Sequence, residues 1–582
     1  MSSSIFSKMK LVPITIWNGY GVMQKRKRSR MNMTPHQHIQ NRIAQALVKL
    51  GFDISDEKLL ILEKRKLENF GDIATTVALS LAKSAQRPPR EIAQQIVDAF
   101  EIEPSIIERI EIAGPGFINF YLSPSCLQQS VIDIIRSAEQ YGRSNKGDNK
   151  RVQLEFVSAN PTGPLNIVSA RAASVGDVLV NLLNMCGYQA QREFYVNDAG
   201  RQIELLGESL AAQYLTELGQ PTPIPQEGYH GEYLRELARM LISAEGDVYL
   251  HLSTAERNRQ FAQKALLYML NRHQQTMEHF GVHFDVWFKE SRLRETNEHL
   301  AVLQRLEISG HTYEQDGAIW FKSSAFGDEK DRVLLTNDGR PTYFLVDIAY
   351  HENKFERGFE QVIDFWGPDH HGYIARMSAA LQALGHPKDA FQVCIIQQVN
   401  LLRNGQPVKM SKRAGEIIEM DELVAEVGVD VTRFFFIDRR TSQPMDFDIE
   451  IAKKQSDDNP SYYVQYAHAR ICSVLRHAEE HGFHLDQLKS TQFLTEAAAL
   501  AVAKKLLDFP EVIIKAAESL EPHRLTGYLV ETATLYHKFY HELQIVTDEQ
   551  SITESRLLLC LATRQVLANG LQLLRISAPT RM

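Results

Sequence analysis

The sequence predicts an α/β protein centred on a doubly wound parallel sheet, with a small α/β module before it and an all-α bundle after it. Three observations predict this. A strand–turn–helix–strand succession opens at Val152 and runs to Val196, the unit from which such sheets grow. A helix-periodic stretch from Ile203 to Phe280 interrupts the alternation as an insertion, and the sheet pattern resumes near Ala318–Phe321 and Val362–Trp366. From Asp446 to the last residue the pattern is almost wholly helical. A chain of 582 residues is too long for one core, so about three or four folding units are expected.

Composition sets the class. Hydrophobic residues at 44% and charged residues at 23% give the balance of a globular chain and exclude a disordered or fibrous one. No run approaches the roughly 18 apolar residues of a spanning helix, and no signal-peptide pattern precedes a cleavage site, so a cytosolic chain without membrane contact is expected. The five cysteines (Cys126, Cys186, Cys394, Cys472, Cys560) are scattered and form no C-x-x-C pair, which predicts core thiols without disulfides or a metal site. A net charge of −8 argues against indiscriminate nucleic-acid binding but not against selective RNA binding by a clustered basic face.

Taken in order, residues 1–33 read as a basic extension, with Lys25, Arg26, Lys27, Arg28 and Arg30: a disordered tail or a stretch upstream of a start at Met31 or Met33 is favoured over a targeting presequence, since the first 24 residues lack regular Arg spacing. Residues 34–125 read as a compact module: an apolar-periodic helix near Ile43–Leu50, a break at Gly71-Asp72, an Ala/Leu helix, the turn Ala113–Gly116 and the alternating strand Phe117–Leu122. The polar stretch within 126–150 reads as a linker. Residues 151–445 form the sheet domain, with its insertion near 203–290, and 446–582 the helical bundle.

The clearest chemical signal is Val408-Lys409-Met410-Ser411-Lys412-Arg413 between Gly405 and Gly415. Two lysines on a glycine-bounded loop can neutralise the charge that builds as pyrophosphate leaves a triphosphate. Upstream, the strand-to-helix turn at Asn160–Ser169 stands where such a sheet binds a nucleotide, at a helix N-terminus with unsatisfied N–H groups.

These motifs carry a resemblance. Glu155-Phe156-Val157-Ser158-Ala159-Asn160-Pro161-Thr162-Gly163-Pro164-Leu165, with Arg171 and Gly176-Asp177, resembles the first signature of the class I arginyl-tRNA synthetases. The likeness continues in Tyr195–Gly200, Gly327–Arg332, Pro341–Phe344 and Gly367–Tyr373, in colinear order from about residue 34 to Met582. One segment departs from the family's H-I-G-H: here it is Asn166-Ile167-Val168-Ser169. Asn166 and, more weakly, Ser169 can still donate to a phosphate oxygen, whereas the isopropyl group of Val168 is expected to push the adenine outward.

The resemblance implies a class I Rossmann-type catalytic domain with a helical insertion, an N-terminal additional domain contacting tRNA, and a C-terminal anticodon-binding bundle. It also implies an arginine–tRNA ligase acting through arginyl-adenylate. Lys409, Lys412, Asn166 and Ser169 would be catalytic. Pro164, Val168, Gly367, Asp369, His370, His371, Met410 and Ser411 would bind ATP, taken as its magnesium complex. Asp347, Tyr343 and Glu290 would hold the guanidinium, whose planar fork needs well-placed anions, and Asn160 and Glu155 the α-amino end. Tyr343 and Asp347 share one face if the helix through Asp347 reaches back that far. Asn459–Arg470 resembles the opening of the anticodon-binding bundle, where Tyr462 and Tyr466 would stack on bases, Arg470 would reach a phosphate, and the terminal Met582 would lie near tRNA. The partners implied are tRNA(Arg), L-arginine and ATP, with a monomeric chain. Two rival readings are a non-catalytic tRNA-binding paralogue, motivated by Val168 and Ser169, and another class I synthetase, with lysine the nearest competitor.

Overall fold

The computed structural model describes residues 34–63, 71–408 and 418–582, and the chain divides into two compact units at Leu127. The basic extension 1–33 and residues 409–417 lie outside the described residues. In the first unit, the Thr34 hydroxyl accepts from the Gln37 N–H while the Gln37 side chain accepts from the Thr34 N–H (3.2 and 3.0 Å). This capping box starts α1 (Pro35–Lys49), which buries Ile39, Ile43, Ala46 and Leu47 as one stripe. Strands β1 (Leu62–Glu63) and β2 (Ile73–Thr75) precede α2 (Val77–Ala85) and α3 (Pro89–Ala99). The hairpin β3 (Ile107–Ala113) and β4 (Phe117–Leu122) completes a four-stranded antiparallel sheet in the order β1-β2-β4-β3.

The second unit corrects the expected linker at 126–150. Helix α4 (Pro124–Ser137) leads into it, burying Val131 and Ile134. Beyond it the Tyr141 hydroxyl donates to the Leu506 carbonyl at 2.9 Å, its ring stacks on Phe509, and Asn569 donates to the carbonyls of Ala138 and Tyr141. The segment looked like a linker because its outward residues are polar, and its buried stripe was hidden among them.

The central sheet contains β5 (Arg151–Glu155), then after α5 (Ile167–Met185) β6 (Gln189–Val196). The insertion follows as α6 (Arg201–Glu217), α7 (Glu232–Glu245) and α8 (Thr254–His279), before β7 (Val286–Lys289). Next come α9 (Glu290–Glu295), α10 (Glu298–Ile308), β8 (Thr312–Gln315), β9 (Ala318–Phe321), β10 (Arg332–Leu335), α11 (Tyr343–Glu356), β11 (Gln361–Trp366), α12 (Tyr373–Ala383) and β12 (Phe391–Ile395). The sheet order is β12-β11-β5-β6-β7 and every pairing is parallel. In chain order this is the doubly wound arrangement, with its switch point between β5 and β11.

Ala318–Phe321 does not resume that sheet, as the sequence had suggested. It pairs antiparallel with β8 and β10 in a separate three-stranded sheet. The reason is local: Asp316-Gly317, with φ of 53° and 73°, is a two-residue hairpin turn, and so short a link can join only antiparallel neighbours.

The chain continues through β13 (Val399–Arg403), β14 (Gln406–Pro407), α13 (Met420–Val427), α14 (Val429–Ile437), β15 (Met445–Asp448) and α15 (Ile449–Ala452). Since β15 pairs in parallel with β13, these strands still belong to the sheet domain, and the bundle starts later than residue 446. It contains α16 (Pro460–Glu480), α17 (Ala497–Leu507), α18 (Phe509–Glu518), α19 (His523–Glu542) and α20 (Gln550–Leu573). All five cysteines are buried and unbridged. Helix α5 is buried on nearly every face. It comes so close to β5 that a Cβ on Gly176 would stand 2.3 Å from the Phe156 ring, which explains the glycine.

Candidate active site

In a sheet of this order, ligands bind at the carboxyl ends of the strands beside the switch point. Here β5 ends at Glu155 and the chain turns sharply: Val157 and Ser158 have φ of 69° and 38°, a costly conformation for a β-branched residue. The Ser158 hydroxyl fixes the turn by donating to Glu155 Oε1 (2.9 Å) while accepting the Tyr195 N–H (3.0 Å). Asn160 is exposed on that turn and Pro164 is half-buried. At the start of α5, Asn166 Oδ1 accepts from the N–H groups of Val168 (3.0 Å) and Ser169 (3.1 Å). Asn166 is therefore a helix cap, and only its amide nitrogen remains to donate to a ligand. Val168 is 36% exposed and Ser169 is buried. Arg171 and Asp177 of the same segment are also buried: Arg171 donates to the carbonyls of Gln397, Arg440 and Gln443, and Asp177 pairs with Arg192 and Arg433. They brace the sheet domain.

Lys409, Met410, Ser411 and Lys412 lie outside the described residues. Both flanks are fixed. Val408 N–H donates to the Leu401 carbonyl, Met420 N–H donates to the Leu165 carbonyl at 2.8 Å, and Glu419 forms a bridge with Asn166. The described chain thus resumes beside the cap of α5. Across the switch point, Gly367 is half-buried, and Asp369, His370 and His371 are exposed just beyond β11.

The three carboxylates assigned to the amino acid all act on one phenol, Tyr195 at the end of β6. Burial first, then the nearby charges of Glu290, Asp347 and Glu155, hold this phenol far above its ordinary range. Its ring rests on Tyr350 at 4.5 Å and stacks on Phe288. Glu290 is 5% exposed. Asn197 donates to its Oε2 (3.0 Å), and Arg294 donates to its Oε1 through Nε and Nη2 (3.1 and 2.6 Å). Asp198 holds the start of α9 by accepting from the Ser291 N–H and hydroxyl, both at 2.8 Å. Tyr343 and Asp347 do share a face of α11, since the helix begins at Tyr343. The Tyr343 ring is nevertheless 80% exposed, because its position in the first turn projects it into solvent rather than over the carboxylates.

Behind these residues lies a buried charge network that the sequence reading missed. Lys354 is 0% exposed, with its ammonium 2.7 Å from Glu155 Oε2 and 2.8 Å from Asp364 Oδ1. His351 Nε2 lies 2.7 Å from Asp364 Oδ2. Burial opposes charge on Asp364, but Lys354 and His351 outweigh it and lower its carboxyl to about 2. Burial and Lys354 likewise oppose protonation of His351, yet Asp364 and Asp347 raise it to about 10. Glu155, read as a direct ligand of the α-amino group, thus already carries a protein cation on one oxygen and a hydroxyl on the other. Each oxygen retains one acceptor site for a ligand. Sequence signals for the network existed: a lone Asp within the apolar strand Val362–Trp366, and Asp347, His351 and Lys354 at helical spacing.

In the bundle, Tyr466, Arg470, Tyr540 and Met582 line one cavity of about 570 Å³. Tyr462 and Tyr466 stack with rings nearly parallel at 5.9 Å, and the Arg470 guanidinium lies over Tyr466 and Tyr540 (4.7 and 5.0 Å). The last residues are held along α16: the carbonyls of Pro579 and Thr580 are bonded by His468 and Arg476. Tyr540 is the member of this group that the sequence reading did not single out.

A five-stranded parallel sheet with its switch-point crevice, an inserted helical subdomain and an appended bundle defines the class I aminoacyl-tRNA synthetases, and the family model "tRNA synthetases class I (R), catalytic domain" matches residues 130–441. Two further models match, "Arginyl tRNA synthetase N terminal domain" at 37–122 and "DALR anticodon binding domain" at 464–582. The chain belongs to the arginyl-tRNA synthetase family. It is 45% identical over 525 residues to the arginine–tRNA ligase of Desulforamulus reducens, covering 90% of this chain and 94% of that one. It is also 45% identical over 551 residues to arginine–tRNA ligase 1 of Halalkalibacterium halodurans, covering 94% and 99%. Among solved structures, the Thermus thermophilus arginyl-tRNA synthetase shares the fold with a TM-score of 0.74 at 23% identity, covering 94% of this chain and all of that one.

Proposed function

We propose that this chain charges tRNA(Arg) with arginine at the expense of ATP. The observation that carries the reading is the 45% identity to arginine–tRNA ligases over nearly the whole chain, together with the buried network that joins Glu155 to Asp347 beside the switch point. Clustered, partly desolvated carboxylates favour a cation with several donors over a neutral side chain. Asp347 and Glu290 take the guanidinium, with Tyr343 at the solvent edge of the slot, and Glu155 and Asn160 take the α-amino group. This orients the substrate carboxylate for in-line attack on the α-phosphorus of Mg-ATP. Pro164, Val168, Gly367, Asp369, His370, His371, Met410 and Ser411 border the nucleotide, and Asn166 and Ser169 donate to its phosphates. Lys409 and Lys412 stabilise the charge on departing pyrophosphate. The 2′-hydroxyl of the terminal adenosine then attacks the activated carbonyl, releasing AMP. Tyr462, Tyr466, Arg470 and Met582 hold the anticodon. The chain acts in the cytoplasm as a monomer.

The non-catalytic alternative is not favoured, because likeness to arginine–tRNA ligases covers the catalytic domain as fully as the tRNA-binding parts. A charging assay with purified tRNA and each amino acid in turn tests the proposal. Arginyl-tRNA and no other product is expected. Lysyl-tRNA, or tRNA binding without charging, would overturn it.

A further inference from the structure

The network behind the acidic slot has a definite direction. From the end of β5 it runs Glu155, Lys354, Asp364, His351, Asp347, so it links the carboxylate assigned to the amino end of the substrate with the one assigned to its guanidinium. His351 is the last link. Its ring is 2% exposed and faces acceptors at both nitrogens. Nε2 lies 2.7 Å from Asp364 Oδ2, while Nδ1 lies 2.8 Å from the Asp347 carbonyl and 3.3 Å from Asp347 Oδ1. A ring nitrogen pointed at a carboxylate or a carbonyl must carry the proton, because neither partner can donate. Both nitrogens are so placed, and the ring is therefore an imidazolium by hydrogen-bond geometry alone. Its plane is fixed by edge contacts with Tyr350 and Phe391, at 5.5 and 5.3 Å.

We propose that His351 is a positioning residue for amino-acid recognition, fixing the Asp347 carboxylate by sharing its Nδ1 proton with it while Nε2 is locked to Asp364. This rests on the reading that Asp347 receives the guanidinium. The Asp347 side chain is 33% exposed and lies at the boundary between network and crevice. Without an anchor its carboxylate would rotate freely about the bond to Cβ, and a guanidinium fork requires placement to within about half an ångström. Tyr373 stands nearby, its phenol held above its ordinary range by burial and then by the Asp347 charge, and the lone pairs of Asp347 that His351 does not engage are left for a ligand.

Two near-isosteric variants separate the two ring nitrogens. His351→Gln places a donor near the Nε2 position and gives up the link to Asp347, whereas His351→Asn places one near Nδ1 and keeps it. Steady-state charging with the full chain is expected to show the KM for arginine rising about tenfold or more in H351Q, with the KM values for ATP and tRNA within about twofold of wild type. H351N is expected to stay within about threefold for arginine. An unchanged arginine KM in H351Q, equal impairment of the two variants, or a parallel rise of all three KM values would overturn the proposal. Should H351Q fail to fold, nitrogen-15 histidine spectra of the wild-type chain, assigned with H351N, decide the matter. Both His351 nitrogens should be protonated at about pH 8, above the ordinary histidine pKa of about 6.5. A neutral tautomer there refutes the geometry. Failure of the wild-type chain to charge arginine would refute the functional reading and leave the spectroscopic result standing on its own.

Discussion

Replacing Lys354 with methionine preserves the length of the side chain and removes its charge from a site with no solvent access. Glu155 and Asp364 then lose the ammonium held 2.7 and 2.8 Å away. Asp364 keeps His351, and Glu155 keeps only the Ser158 hydroxyl. Removing one partner from a buried ionic group costs about 3–5 kcal/mol, because the charge left behind is desolvated and unpaired. The unfolding entropy is about 2.1 cal/mol/K per residue, so the second unit, of roughly 450 residues, carries about 1 kcal/mol/K. Lys354→Met should therefore lower Tm by roughly 3–5 °C, measured by differential scanning calorimetry at neutral pH. Adding Glu155→Gln and Asp364→Asn to the same chain should recover part of the loss, since neutral groups carry a smaller desolvation cost. An unchanged or raised Tm in the single variant would show that the ammonium does not bridge these carboxylates, and the network argument would fail with it.

The same network sets a pH dependence. Because His351 is raised to about 10 when folded, its contribution is complete below the unfolded value of about 6.5 and is lost as pH rises through about 10. Asp364, lowered to about 2, contributes above about 3.8 and loses that contribution as pH falls toward about 2. Tm should decline between about pH 6.5 and 10, and less steeply in His351→Gln; parallel alkaline limbs would contradict this. Arg294→Ala frees the Glu290 oxygen that Arg294 now occupies. Only the Arg294 end of the pair is exposed, and Glu290 itself is buried, so the KM for arginine should fall by about twofold or more, and a rise would mean that Arg294 helps binding. Val168→Gly removes a side chain 36% exposed at the start of α5, and the KM for ATP should fall while that for arginine holds; an unaltered ATP KM would place the adenine elsewhere. Tyr466→Ala should raise the KM for tRNA about 5- to 150-fold by removing one stacking platform, with the ATP and arginine constants unmoved, and a change in those instead would locate Tyr466's role outside the anticodon contact.

The acidic slot shows how far sequence reasoning reached. Glu290, Tyr343 and Asp347 came from matching segments, and the structure brings Glu290 and Asp347 to one phenol while leaving Tyr343 in solvent. Tyr195, Asn197 and Tyr373 stand within quoted motifs, yet nothing in their spacing says that they face the same carboxylates. The capping geometry of Asn166 was open to prediction from its place before a helix, whereas the bridge from Asn166 to Glu419 joins residues far apart in the chain. The hairpin at Asp316-Gly317 was legible from that dipeptide alone and was overlooked in favour of the apolar pattern on its C-terminal side.

Sequence alone determined most of the local elements, their order and the family, because hydrophobic period, caps and motifs act over a few residues and survive being read one segment at a time. Only the tertiary structure decided which charges are buried together. Whether a lysine or a histidine is surface or core depends on what other elements pack against it, and the pairing of Lys354 with Glu155 closes a loop of almost two hundred residues. A buried ion is stable only when its partners arrive with it, and which partners those are is settled by the fold.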